Sequence, residues 1–244
     1  MTDAQPMEPT DAFAQLGRIK LSETDLNGVF QQVADLAKRT IPGVTDASVT
    51  LVQPSKGAHT PAFTGQLALA LDESQYELGH GPCLAAASST NIQAVTDMTS
   101  ENRWPDWTSR ALQAGAHSSL SIGLPVQEAV TGALNLYSTE PHAFDDDAIA
   151  VAVAQTFASY ASVAMANAYL YDAKTTLAQH MEAALASRAV IEQAKGIIMG
   201  DRRCTADEAF AILTKLSQDT NRKLRDIAAA LVARATTPKP PSPR

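Results

Sequence analysis

The chain has 244 residues and 45% hydrophobic composition, which is material for one large or two modest folded domains. Its formal charge of −7 is unevenly spread: residues 1–173 carry 7 Lys and Arg against 19 Asp and Glu, whereas residues 174–244 carry 12 against 7. The acidic total therefore argues against a polyanion partner for the first part only, because binding answers to the local field of one face.

Residues 1–10 are rich in Pro, Thr and acid, and residues 1–20 are expected to form an arm that is disordered or partly helical. From Ser22 the pattern turns helical, with Leu26, Val29, Phe30, Val33, Leu36 and Ala37 on one face, and the helix should stop before Pro42-Gly43. DASVTLVQ (46–53) reads as a β-branched strand. A second strand is expected near 60–70, then a polar loop, a short helix after Pro82, a strand at IQAV (92–95) and a helix from about Trp104 to Gly115. SLSIGLPV (119–126) alternates strictly, and GALNLYS (132–138) forms its hairpin partner. Antiparallel strands with helices packed on the sheet make an α+β domain, expected to span 21–170.

Three aspartates from Asp145 favour a helix start through the macrodipole. No Gly or Pro follows before Lys195, which allows about 50 helical residues, roughly 75 Å if continuous. Ala148–Leu170 lacks charge over a length that could span a bilayer. Its alanines, with Gln155, Thr156, Ser159, Ser162 and Asn167, give little transfer energy and fit a closely packed helix instead, so no membrane segment is expected. Small residues recur at Ala150, Ala154, Ala158, Ser162 and Ala166, a ridge that lets another helix approach. Val163, Leu170, Leu177, Ala184, Ile191 and Ile198 repeat every seven, beside a poorer line of Asn167, Lys174, Met181, Arg188 and Lys195. This pattern suggests a parallel homodimer through the long helix, with a connecting coiled coil over 171–186. An amphipathic helix lying on its own domain fits it as well.

After Gly200, Thr205 with Glu208 forms a capping box that opens a helix with apolar residues Ala209, Phe210, Leu213 and Leu216. A second cap near Asn221 leads to Leu224, Ile227, Ala228, Leu231 and Val232 at helical spacing. With the end of the long helix these make a small all-α, three-helix module over 187–236, followed by a proline-interrupted tail (237–244) expected to be disordered. The runs SRAVIEQAKGIIM (187–199) and CTADEAFAILTKLSQDTNRKLRDIAAALV (204–232) resemble the ANTAR domain of transcription antitermination regulators along its whole length. The resemblance implies binding of paired hairpins in mRNA leaders, so that a terminator cannot form. Arg188, Lys195, Arg202, Arg203, Lys215, Arg222, Lys223 and Arg225 are the candidate phosphate contacts. Gln218 and Asn221 can read loop bases, and Gly196 either allows close backbone approach or loosens a helix end.

DESQYELGHGPC (72–83), TDMTSENRWPDW (96–107) and the strand ending in GLPV resemble the GAF domains that precede ANTAR in actinobacterial regulators. This resemblance implies a small-molecule pocket between the sheet and a capping segment. It names no ligand and identifies no cofactor. Tyr76, Gly79, His80, Gly81 and Cys83 read as a polar loop of the kind that closes pockets, with Asp97, Arg103, Trp104 and Trp107 on the next loop and helix start. The pocket candidates are Tyr76, His80, Cys83, Asp97 and Trp104, although Trp104 and Trp107 suit ordinary packing and Asp97 suits a turn or cap.

Cys83 and Cys204 lie in different halves with no CxxC, no Cys/His cluster and no secretory segment near Met1, which points to a reducing, cytoplasmic setting and to no metal site. No nucleophile, phosphate-loop or metalloprotease motif is present, so no catalytic residue is assigned. The competing readings are a redox-active Cys83 beside His80 or His117, a DNA-reading helix-turn-helix using Lys223 and Arg225, and a structural dimer without nucleic acid.

Overall fold

Five antiparallel strands, β1 (Asp46–Gln53), β2 (Gly57–Phe63), β3 (Ile92–Val95), β4 (Ser118–Gln127) and β5 (Val130–Ser138), form one sheet in the order β2-β1-β5-β4-β3. The computed structural model describes residues 7–53, 55–127, 130–145 and 149–236; the start of the N-terminal arm and the expected disordered tail at 237–244 lie outside the described residues. The chain divides into two compact units, Met1–Ala173 and Lys174–Arg244.

Period-two alternation gives the sheet two different faces. Ala47, Val49 and Leu51 of β1, Leu120, Ile122, Leu124 and Val126 of β4, and Leu134 and Leu136 of β5 face an apolar core. It is completed by α1 (Pro9–Gly17), α2 (Leu26–Thr40) and the first part of α6 (Ile149–Arg202). In α2 Asp25 caps the N-terminus by accepting from the Gly28 amide at 2.8 Å. Ala150, Ala154 and Ala158 of α6 are buried in this core with Phe157 and Met165, so the small-residue ridge packs on its own domain. By length and composition α6 could cross a membrane, yet Ala154, Phe157, Ala161 and Met165 of that stretch are buried in this core.

The opposite face is covered by α3 (Gln66–Leu78), α4 (Pro82–Ser89) and α5 (Pro105–Gln113). The helix α3 corrects two expectations: the strand near 60–70 ends at Phe63, and most of the supposed loop over 72–83 is helical. Its buried positions are Ala68, Leu71, Asp72 and Gln75, an i, i+3, i+4, i+7 set, together with Ser74; three of the five are polar, so the apolar period is hidden. Gly79, with φ of 74°, closes the helix in the left-handed region.

In the second unit the end of α6 packs with α7 (Ala206–Thr220) and α8 (Leu224–Thr236) around Ala194, Ile198, Ala209, Leu213 and Ala228. The expected capping box forms: the Thr205 amide donates to Glu208 Oε2 at 2.8 Å, and the Glu208 amide to Thr205 Oγ1. Phe210 and Leu216 depart from the expected buried face and are 44% and 45% exposed. The heptad line also divides. Val163, Leu170 and Leu177 are exposed, whereas Ile191 and Ile198 turn into the three-helix core, so a seam running to Ile198 is ruled out by the unit's own packing.

Two glycines define a stability test. A Cβ on Gly123 of β4 would run into the Ala86 carbonyl oxygen and the Thr90 backbone, whereas one on Gly196 meets nothing within 4 Å. Gly123→Ala should cost about 1–3 kcal/mol in urea unfolding followed by Trp104 and Trp107 fluorescence. Gly196→Ala should instead raise the stability of the second unit by up to about 1 kcal/mol, read by amide exchange. A neutral Gly123→Ala would show that α4 does not seat on β4 as described.

Candidate sensor and nucleic-acid sites

The strand face beneath α3 and α4 is polar and closed to water. Ser48 and Thr50 of β1, Ser119 and Ser121 of β4, and Asn135 and Tyr137 of β5 are all buried. Into this face α3 inserts the carboxylate of Asp72. It accepts from Thr60 Oγ1 at 2.8 Å, from Tyr137 OH at 2.5 Å and from Asn135 Nδ2 at 3.2 Å. Tyr76, one turn on, shares hydrogen bonds with Thr50 and Thr60 at 2.8 and 2.7 Å. Gln75 donates to Tyr137 and accepts the Cys83 amide at 2.8 Å, which ties α4 to the network.

No Lys or Arg pairs with Asp72 among the described residues, so only neutral donors hold the charge. Burial pushes its carboxyl up to about 6, against the hydroxyl and amide donors that lower it. Burial, reinforced by the Asp72 charge, also raises the Tyr76 phenol and the Cys83 thiol. A buried thiol held protonated is a poor nucleophile, which tells against a redox-active Cys83. Ser119 Oγ, Ser121 Oγ and Asn135 Oδ1 are buried without a hydrogen-bond partner, and Ser121 lies directly opposite Asn135 in the β4–β5 register. Such a cluster offers unmet hydrogen-bonding capacity to a small polar molecule or to water.

The five pocket candidates do not converge. Tyr76 and Cys83 belong to the buried network, while His80 and Trp104 line an open cleft of about 490 Å³ with Val52, Leu84 and Thr131. The Trp104 ring stacks beneath Arg103, 4.5 Å from centroid to guanidinium. Asp97 lines a separate hollow, and its Oδ1 accepts from the amide and hydroxyl of Thr99, bonds that hold the carboxyl below its usual range. Asp97 thus ties a turn as well as lining that hollow. Sequence reasoning passed over Asp72, Asn135 and Tyr137. A signal was present, since Ser119, Ser121, Asn135 and Tyr137 alternate with leucines, but alternation alone reads as one solvated face.

In the second unit Arg188, Arg202, Arg203, Lys215, Arg222, Lys223 and Arg225 are exposed, as are Gln218 and Asn221. Three candidate cations have acidic neighbours: Arg202 with Asp201, Arg225 with Asp226, and Lys195, whose half-buried side chain binds Glu192 at 3.0 Å. Lys195 is therefore a weaker phosphate candidate than its position suggests. Gly196 is exposed, and among the described residues nothing beyond its own helix would lie within 4 Å of a Cβ placed there, so packing of these residues does not account for the glycine.

A five-stranded sheet covered on both faces, with a polar interior, defines an α+β sensor domain of the GAF type, and the three-helix unit corresponds to an ANTAR module. The GAF domain family matches residues 23–166 and the ANTAR domain residues 179–232; the chain belongs to the GAF family and carries an ANTAR domain after its GAF domain. Among solved structures it is similar to the phycocyanobilin-bound GAF domain of a cyanobacterial phytochrome, at 12% identity over 67% of this chain and 97% of that one, TM-score 0.50. It is similar also to fRMsr of Staphylococcus aureus in its reduced form, at 15% identity over 68% and 99%, TM-score 0.50. A bacteriophytochrome from the photosynthetic bacterium R. palustris gives 14% identity over 84% of this chain and 45% of that one, TM-score 0.54. At these identities the likeness shows the fold alone. No curated protein matches the chain.

The Asp72 value of about 6 lies above the ordinary 3.8, so the folded protein holds this proton more tightly than the unfolded chain. The resulting stabilisation is complete below about pH 4 and is lost as pH rises through about 6. Relative to Asp72→Asn, the wild type should lose on the order of 3 kcal/mol in urea unfolding as pH rises from below about 4 to neutral. A pH-independent difference between the two proteins would show that Asp72 titrates normally.

Proposed function

We propose that the protein is a non-enzymatic, cytoplasmic antitermination regulator whose GAF domain controls binding of the ANTAR module to paired hairpins in nascent mRNA. The observation that carries this reading is the joining of the two domains through α6, which contributes to the cores of both. Supporting it, Arg188, Arg203, Arg222 and Lys223 are exposed and form no ion pair among the described residues, as phosphate contacts require. The exposed Gln218 and Asn221 offer amides to loop bases, and the exposed Gly196 carries no side chain to hinder a backbone.

On the sensor side, a small polar ligand meeting the unpartnered Ser119, Ser121 and Asn135 would load the same strands whose leucines pack against α6. Asn135 and Tyr137 alternate along β5 with Leu134 and Leu136, which share a core with Phe157 and Met165. A displacement of β5 on one face is therefore felt on the other. The output is a change in pairing of two copies. Tyr160, Val163, Leu170, Leu177 and Met181 fall on a and d positions of a heptad and are 50–61% exposed, with Asn167 and Lys174 at a positions between them. Polar a positions set a parallel register at a cost in stability, which leaves the pair near balance and open to a signal.

Binding of the full-length protein to tandem-hairpin RNA and to duplex DNA across a salt series tests the first part. RNA is expected to bind more tightly. The triple variant Arg188→Ala/Arg222→Ala/Lys223→Ala should weaken binding and reduce the salt slope by about one per lost phosphate contact. Preference for duplex DNA would transfer the module to helix-turn-helix recognition. For the dimer, Leu170→Asp/Leu177→Asp should halve the mass measured by sedimentation equilibrium, and an unchanged mass would remove the heptad seam from the mechanism.

A further inference from the structure

We infer that Phe210 is a base-stacking platform for an unpaired nucleotide in the RNA hairpin loop, an inference that rests on the RNA-binding reading above. Spacing alone assigns Phe210 to the apolar face of α7 with Ala209 and Leu213. The structure leaves the residue 44% exposed and builds the three-helix core without it, from Ala194, Ile198, Ala209, Leu213 and Ala228. Phe210 is the one Phe, Tyr or Trp between residues 174 and 236. Burying a phenylalanine is worth about 1.5–3 kcal/mol, so a module with so small a core forgoes an evident gain by presenting this ring to solvent.

The neighbours of the ring decide its partner. At 100° per residue, Phe210, Thr214, Ser217 and Asn221 fall on one stripe of α7, with Gln218 at its edge. Asn221 ends the helix in the left-handed conformation, φ 50°, and is followed at once by the exposed Arg222 and Lys223. Along this line lie a flat apolar ring, hydroxyl and amide groups, and then cations. A protein partner covering Phe210 would need further apolar surface around it, and the stripe supplies Thr214, Gln218 and Asn221 instead. An extruded base matches each part: its π-face on the ring, its edge on the amides, and its phosphates on the cations.

The test uses the full-length wild type and the variants Phe210→Tyr, Phe210→Leu and Phe210→Ala, with a tandem-hairpin RNA carrying 2-aminopurine in one loop and the same RNA with abasic loop positions. Because Phe210 lies outside the core, all variants should keep the wild-type thermal melt. Phe210→Leu and Phe210→Ala are expected to weaken binding to the intact loop about tenfold and to abolish 2-aminopurine quenching, while Phe210→Tyr stays within about twofold. On the abasic RNA the penalty should vanish, with the salt slope unchanged throughout. If Phe210→Leu binds and quenches like the wild type, or the penalty persists on abasic RNA, the stacking role is wrong. A drop in oligomeric mass on Phe210→Ala would overturn it equally, by making the ring a contact between copies. Failure of the wild type itself to bind hairpin RNA would instead strike the antitermination reading.

Discussion

The first domain depends on a sheet whose two faces are both shut off from water while only one is apolar. On the leucine face, burial itself is stabilising. On the other, hydroxyls, an amide, a phenol and a carboxylate must satisfy one another, because an unmet polar group in such a place costs about 1–3 kcal/mol. Asp72 is the focus of that arrangement: three neutral donors converge on it, and no cation shares its charge among the described residues. α3 and α4 are held to the sheet by this network as well as by apolar contact, since Gln75 bonds at once to Tyr137 and to the Cys83 amide.

The network is incomplete where β4 meets β5, at Ser119, Ser121 and Asn135. A partly satisfied polar interior is poised, because any solute able to complete it changes the energy of the face as a whole. The two central strands carry that change through the sheet, since each presents polar residues to one side and leucines to the other. The sensor interior and the packing of α6 are linked by chain connectivity within β5.

α6 has different neighbours along its length. Its first turns give Ala154, Phe157 and Ala161 to the GAF core, residues 171–186 are exposed throughout, and Ala194 and Ile198 belong to the ANTAR core. One heptad line therefore serves two purposes. Where it passes the exposed stretch, Leu170 and Leu177 stay exposed; where it enters the ANTAR module, Ile191 and Ile198 pack into the local core. Periodicity cannot distinguish these, because an apolar residue at a given helical angle is the same letter whichever surface receives it.

Much of the architecture was legible in the amino-acid order alone. Strand alternation in 119–126, the β-branched run at 46–53, the capping box at Thr205 and Glu208, and the charge division near residue 174 depend on local physics, which a linear sequence records directly. The helix α3 was hidden, because Asp72 and Gln75 occupy buried positions where the apolar period needs hydrophobic residues. The site residues followed the same rule. Tyr76 and Cys83, singled out in the sequence, lie in the buried network, but Asp72, Asn135 and Tyr137 acquire meaning only when β1, β5 and α3 meet, and His80, Trp104 and Asp97 lie in other hollows. The sequence by itself determined which segments could be helix or strand and which half carries positive charge. Only the tertiary structure decided which polar residues lose their water and which apolar ones, Phe210 and Leu177 among them, keep it. Burial is settled by what packs on a surface from elsewhere in the chain, and residue spacing carries no record of that.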